Sequence, residues 1–118
     1  MDRKRVILGK TTAPYSSAVI YDENLIFISG QIPNNSQAAF SEQAKSALDN
    51  LAQVLALAGS SIKKVLKTTV YLTDINEFAV LNEVYGEYFS KEPPARAAVG
   101  VLSLPLGVKI EIEAIAYK

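Results

Sequence analysis

Lys109-Ile110-Glu111-Ile112-Glu113-Ala114-Ile115-Ala116-Tyr117 decides the architecture. Successive side chains of a strand point to opposite faces of its sheet. One face therefore carries Ile110, Ile112, Ala114 and Ala116, all apolar. The other carries Glu111, Glu113, Ile115 and Tyr117, a mixed set. The first face suits a core under helices. The second suits a sheet buried against another subunit, for which cyclic symmetry is the common solution.

Working back from this strand, Leu104-Pro105-Leu106-Gly107 is a turn and Ala97 to Val101 a short strand. Pro93-Pro94 stops the helix before it. That helix carries the apolar stripe Phe78, Leu81, Tyr85, Tyr88 and Phe89. It opens on Asp74-Ile75-Asn76-Glu77, a capping-box pattern with Asp74 as cap and Glu77 at the third helical position. Val65 to Leu72, rich in Val, Thr and Tyr, is a strand. A longer helix precedes it, with Ala44, Ala47, Leu48, Leu51, Val54, Leu55 and Ala58 on one face. Ser41 is its expected N-cap, and Gly59 fits the left-handed position that ends it.

Toward the N-terminus, Ala18–Tyr21 and Leu25–Ile28 are joined by Asp22-Glu23-Asn24 and form a hairpin. The second arm lacks polar alternation, which predicts burial on both faces, and it stops at Ser29-Gly30. Val6-Ile7-Leu8 is a first strand ending at Gly9. The order is β-β-β-α-β-α-β-β: an α+β domain spanning residues 1–118, with a six-stranded mixed sheet and both helices on one face.

Composition narrows the chemistry. The chain of 118 residues has no histidine and no cysteine. Serine–histidine triads, cysteine nucleophiles, disulfides and ordinary zinc sites are thereby excluded. Any chemistry falls to carboxylates, Lys, Arg, Tyr, hydroxyls, amides, backbone groups and water. Twelve basic residues balance twelve acidic ones, so the basic stripe of a nucleic-acid binder is missing. The cluster Arg3-Lys4-Arg5 fits a solvated terminus. No apolar run approaches the roughly 20 residues of a membrane-spanning helix, and no secretory signal is visible. A cytoplasmic protein without a membrane partner is expected.

Several residues stand out as candidates, each with a structural alternative. Arg96 enters a strand poor in polar groups. Its planar fork suits a carboxylate, either a ligand's or that of Glu111 or Glu113 in a structural salt bridge. Asn82, within the second helix's stripe, either satisfies a neighbouring backbone group or donates into a pocket. Ser29-Gly30-Gln31 ends an apolar strand, as a plain turn or as a place of close backbone approach. Glu111 and Glu113 share one face, either as a charged rim or as a pair for acid–base work. Tyr15, in a loop after Pro14, is uninformative by itself.

These residues also fall into a familiar order. Ala13-Pro14-Tyr15-Ser16, Ile28-Ser29-Gly30-Gln31-Ile32-Pro33, Ser46 to Leu51, Val65 to Leu72, Phe78 to Tyr85, Pro94-Ala95-Arg96 and Val108 to Ala116 together resemble the RidA/YjgF family. The resemblance implies a chorismate-mutase-like fold and a homotrimeric barrel with clefts between subunits. It implies hydrolysis of 2-imino and 2-enamino acids, released by pyridoxal-phosphate enzymes, to 2-keto acids and ammonia. No metal or cofactor is implied. Arg96 matches the carboxylate-binding arginine, and Glu111 the glutamate that orients or activates water. Tyr15, Ser29, Gly30 and Asn82 match pocket positions. Ala98 stands where many members have cysteine, Ala13 replaces a common glycine, and the Asn34–Phe40 loop and the segment before Arg96 look shorter. The alternative is a module of the same fold that binds small carboxylates without turning them over.

Overall fold

The computed structural model describes residues 3–9 and 11–118. Its strands are β1 (Lys4–Ile7), β2 (Ala18–Tyr21), β3 (Leu25–Gln31), β4 (Val65–Leu72), β5 (Ala95–Gly100) and β6 (Ile110–Tyr117), with helices α1 (Phe40–Leu57) and α2 (Phe78–Tyr88). The sheet runs β1-β2-β3-β6-β4-β5. All its pairings are antiparallel except β4 with β5, which are parallel and joined through α2. A parallel pair needs a crossover, and α2 is that crossover. The result is the mixed six-stranded α+β sheet expected from the sequence.

β6 divides its residues as its alternation dictates. Ile110, Ile112, Ala114 and Ala116 are buried, while Glu113 and Tyr117 are exposed and Glu111 and Ile115 half-buried. The buried row joins Leu48, Leu51 and Leu55 of α1, Leu81 and Val84 of α2, and Ile20, Ile26, Val70 and Leu72 of the sheet in one core. Both helices therefore cover the same face. Gly59, at φ +82°, closes α1: its N–H reaches Ala56 O at 3.0 Å and the Ser60 N–H reaches Leu55 O at 2.8 Å. This pair of bonds satisfies carbonyls the helix end leaves open.

Four expectations need correction. α1 begins at Phe40, one residue before Ser41, and its N-cap Ala39 offers no side-chain bond. The loop before it is held instead by buried Gln43, whose Nε2 donates to Ser36 O and Ala38 O and whose Oε1 accepts from Lys109 N. Asp74 does cap, but it accepts from Asn76 N at the head of a 3-10 turn, Ile75–Glu77. Helix α2 follows with Glu77 at its N-cap position and no side-chain bond there, so no reciprocal capping box forms. β3 continues to Gln31 across an irregularity in its register with β6. Finally, β3 is buried on one face only: Phe27 is 44% exposed. Its apolar run reflects an open face in the single chain.

Three small boundary shifts matter less. β1 starts and ends slightly earlier than Val6–Leu8, β6 begins at Ile110, and β5 begins at Ala95, which puts Arg96 inside the strand. The hairpin is as expected, and both central turn residues, Asp22 and Glu23, have φ near +55°. Positive φ at both positions gives the turn a twist that matches the strands. The basic N-terminal residues face this turn: Arg5 pairs with Glu23 at 3.0 Å and Arg3 with Asp22 at 3.8 Å.

Candidate active site in two halves

The sheet splits the candidate residues into two groups. In the parallel β4–β5 pair, Arg96 lies beside Thr68, which is fully buried and belongs to the helix-covered face. Its guanidinium carbon lies 4.9 Å from the ring centre of Tyr85 and 5.5 Å from that of Phe78, both on α2. Among the described residues Arg96 makes no ion pair. Asn82 lies four residues after Phe78 and three before Tyr85, on the same helical stripe, and is exposed. The first half is thus an arginine seated on two rings with an amide beside it.

Glu111 belongs to the opposite face. It pairs with Tyr71, and Glu113 pairs with Thr69, both one step out of phase with the buried Thr68 and Val70. The structural alternative, a salt bridge from Arg96 to Glu111 or Glu113, does not form within the chain, because the sheet stands between them. Glu111 instead lies against Gly30, where an added Cβ would overlap Glu111 Oε2. Gly30 has no left-handed φ, so what its missing side chain provides here is the space the Glu111 carboxylate occupies. Ser29 anchors the same region: its Oγ donates to Ser16 O at 2.6 Å, and its N–H donates to Ser17 O at 3.0 Å. These bonds hold the loop carrying Tyr15, which is 53% exposed. A depression of about 410 Å³ lined by Leu8, Thr11, Pro14, Tyr15 and Ser16 opens beside it. The second half is a carboxylate over a glycine, flanked by a serine-anchored loop.

Electrostatics distinguish the halves. Burial pushes the Glu111 carboxyl above its ordinary value of 4.5, and the like charge of Glu113 adds to this. Glu113 accepts a hydrogen bond from the Tyr71 hydroxyl at 3.0 Å, which pushes that phenol up as well. On the other face, burial raises the Tyr85 phenol, while its bond to Thr68 and the charge of Arg96 pull the other way. Among the described residues no cluster of carboxylates suited to a metal ion occurs, and no helix is long and apolar enough to cross a membrane.

Sequence reasoning singled out Arg96, Glu111, Tyr15, Ser29, Gly30 and Asn82; the fold puts Asn82 on the helix whose rings seat Arg96, Glu111 against Gly30, and Ser29 in a bond to the loop that carries Tyr15. It missed Thr68 and the placement of Phe78 and Tyr85 around Arg96. Phe78, Asn82 and Tyr85 at helical spacing were the available signal.

Comparison with known proteins gives the family. Residues 8–118 match the family model described as Endoribonuclease L-PSP. The chain is 49% identical over 111 residues to human 2-iminobutanoate/2-iminopropanoate deaminase, covering 89% of this chain and 80% of that protein. The chain belongs to the RidA/YjgF family. A RutC family protein of Pyrococcus abyssi is 47% identical over 92% of this chain and 90% of its own length. Among solved structures, RidA from an Antarctic Psychrobacter superposes with a TM-score of 0.85 at 39% identity, covering 92% of this chain and 91% of that one. Yeast Mmf1 gives 0.91 at 35% identity, with 98% of each chain covered.

Proposed function

We propose that this RidA/YjgF chain hydrolyses 2-imino and 2-enamino acids to 2-keto acids and ammonia. The observation that carries the proposal is the state of Arg96. Its charge is held against two rings and, among the described residues, its N–H groups bond to no protein oxygen, so these donors remain for a ligand carboxylate. Relatives named as 2-iminobutanoate/2-iminopropanoate deaminases support that ligand class.

The reaction asks little of the protein. Water adds to the carbon of the protonated imine as Glu111 takes one of its protons, giving a neutral carbinolamine. The protonated Glu111 returns that proton to the nitrogen, the C–N bond breaks to release ammonia, and the hydroxyl gives up its proton to the Glu111 carboxylate as the carbonyl forms. A carboxylate with a raised pKa is a better base than an ordinary one. Positioning the carboxylate and the water supplies the remainder of the acceleration. No histidine or cysteine is needed.

Arg96 and Glu111 stand on opposite faces, so the proposed site takes Arg96 and Asn82 from one protomer and Tyr15, Ser29, Gly30 and Glu111 from its neighbour. The open face favours such assembly. Val6, Tyr21, Phe27, Val99 and Tyr117 are each 40–48% exposed there, and unpartnered apolar area of this kind marks an interface. A closed homotrimeric barrel would cover it and form three such clefts.

The test is a competition assay. An amino-acid oxidase or threonine dehydratase generates the imine, and semicarbazide traps what escapes hydrolysis. The wild type should lower semicarbazone formation and Arg96→Ala should not. If the wild type has no effect on several imino acids yet binds a 2-keto acid, the chain is a carboxylate-binding module instead. The family model's ribonuclease name gains no support from a chain with balanced charge and no histidine.

A further inference from the structure

We infer that Phe78 and Tyr85, the latter pinned by Thr68, are positioning residues that aim the fork of Arg96. The inference rests on the carboxylate-binding reading of Arg96. An arginine side chain carries several rotatable bonds, and an untethered one loses that freedom when it grips a ligand. Arg96 is tethered in an unusual way, by two rings seven residues apart on α2. A carboxylate partner would occupy its N–H donors. A ring holds the charge through its π face and leaves those donors unspent.

The rings are themselves fixed. The Tyr85 hydroxyl and Thr68 Oγ1 share a hydrogen bond at 2.8 Å, both residues buried. Thr68 is the register partner of Arg96 on the adjacent strand. The chain thus closes a loop of contacts: β5 carries Arg96, Arg96 rests on Tyr85 of α2, and Tyr85 is tied to β4 beside Arg96. The Phe89 ring, at the C-cap of α2, lies against Tyr85 tilted by 37°, with centroids 4.5 Å apart. Phe78 differs from Tyr85 in being 36% exposed. It completes the seat at the solvent edge and can be changed without opening the core. Burial keeps the Tyr85 phenol protonated, since its titration is pushed above the ordinary value of 10.0. The hydrogen bond to Thr68 is therefore present throughout the working pH range.

The test measures the dissociation constant for 2-oxobutanoate by calorimetry, alongside KM and kcat in the trapping assay. The variants are Arg96→Ala, Phe78→Leu, Phe78→Tyr and Tyr85→Phe. Phe78→Leu should raise both the dissociation constant and KM about tenfold while kcat stays within about twofold. Phe78→Tyr restores a ring and should recover most of the loss. Tyr85→Phe keeps the ring but frees it from Thr68, and should raise KM by about threefold. A merely structural role would lower Tm and the active fraction, and so kcat, with KM and the dissociation constant unmoved. That pattern would overturn the inference. So would a Phe78→Leu variant equal to wild type while Arg96→Ala has lost binding, and that result would spare the reading of Arg96. A wild type that neither binds nor hydrolyses overturns both together.

Discussion

Arg96 and Glu111 share one sheet and almost nothing else. Arg96 is held by side chains: two rings, one tied by a hydroxyl to the neighbouring strand. Glu111 is placed by the lack of a side chain, since its carboxylate occupies the space a Cβ at Gly30 would fill. One half is buttressed by the core and faces the helix layer. The other lies on the open face of the sheet. The difference teaches that a small chain without histidine can hold a cation and a carboxylate on opposite faces of one sheet, where they do not neutralise each other. The proposed site, which uses both, would take one of them from a second protomer.

The strongest way to break this comparison is to separate the protomers. Phe27→Lys puts a charge into the middle of the open face and leaves the core beneath it untouched. The expected outcome is a folded monomer without turnover, seen by sedimentation velocity, circular dichroism and the trapping assay. Its control is Ile26→Ala on the opposite face of the same strand. Ile26 is fully buried, so its truncation should cost about 2–5 kcal/mol of stability with the oligomer otherwise intact. A Phe27→Lys protein that still assembles and turns over would remove the argument that the halves meet across an interface.

Next in size is the cation. Arg96→Ala should reduce kcat/KM by at least about a hundredfold, as expected for a lost bidentate, charge-assisted pair. Sedimentation should show the assembly unchanged. Dissociation on this substitution would mean that Arg96 serves the interface instead.

Gly30→Ala tests the other half. The new methyl meets the end of the flexible Glu111 side chain and moves the carboxylate aside, with little cost in stability. Activity should fall by about tenfold or more through loss of the placed base, with KM for the carboxylate little changed. A rise in KM equal to the fall in kcat/KM would instead place Gly30 in substrate binding alone.

Much of this was legible in the sequence, and the reasons are physical. The period-two pattern of β6 and the heptad-like spacing of α1 are written in single residues, so element order and the covered face follow directly. Helix starts were not legible at Ser41 and Asp74. Buried Gln43 holds the first from a distance, and a 3-10 turn intervenes at the second. The two faces of the site were hidden for a related reason. Arg96 and Glu111 lie on strands that follow each other in sequence but are separated by β4 in the sheet, so their relative phase depends on the β4–β5 and β4–β6 registers. Alternation within either strand could not relate them. The apolar run of β3 misled because an apolar residue on an exposed face and one on a buried face read the same in sequence.

The smallest effect is the most specific, because it reads Glu111 as a base. Its carboxyl titrates above 4.5 in the folded chain through burial first and Glu113 second. The unfolded chain releases this proton near the ordinary value. Between the two values the folded state holds a proton that the unfolded state has lost, so stability falls as pH rises through that window. Above it the penalty is complete, and below it absent. Glu111→Gln should therefore be more stable than wild type at neutral pH, with the decline across that window removed, although its turnover is lost. Glu113→Gln sharpens the point. It removes the like charge on this face while its amide oxygen can still accept from Tyr71. The raised titration of Glu111 then relaxes toward 4.5, and the acid limb of the kcat profile should move to lower pH. An acid limb that stays in place in Glu113→Gln, with Glu111→Gln still active, would show that the proton is taken elsewhere. The open-face half would then be left with a structural carboxylate, and the contrast with Arg96 would lose its chemical meaning.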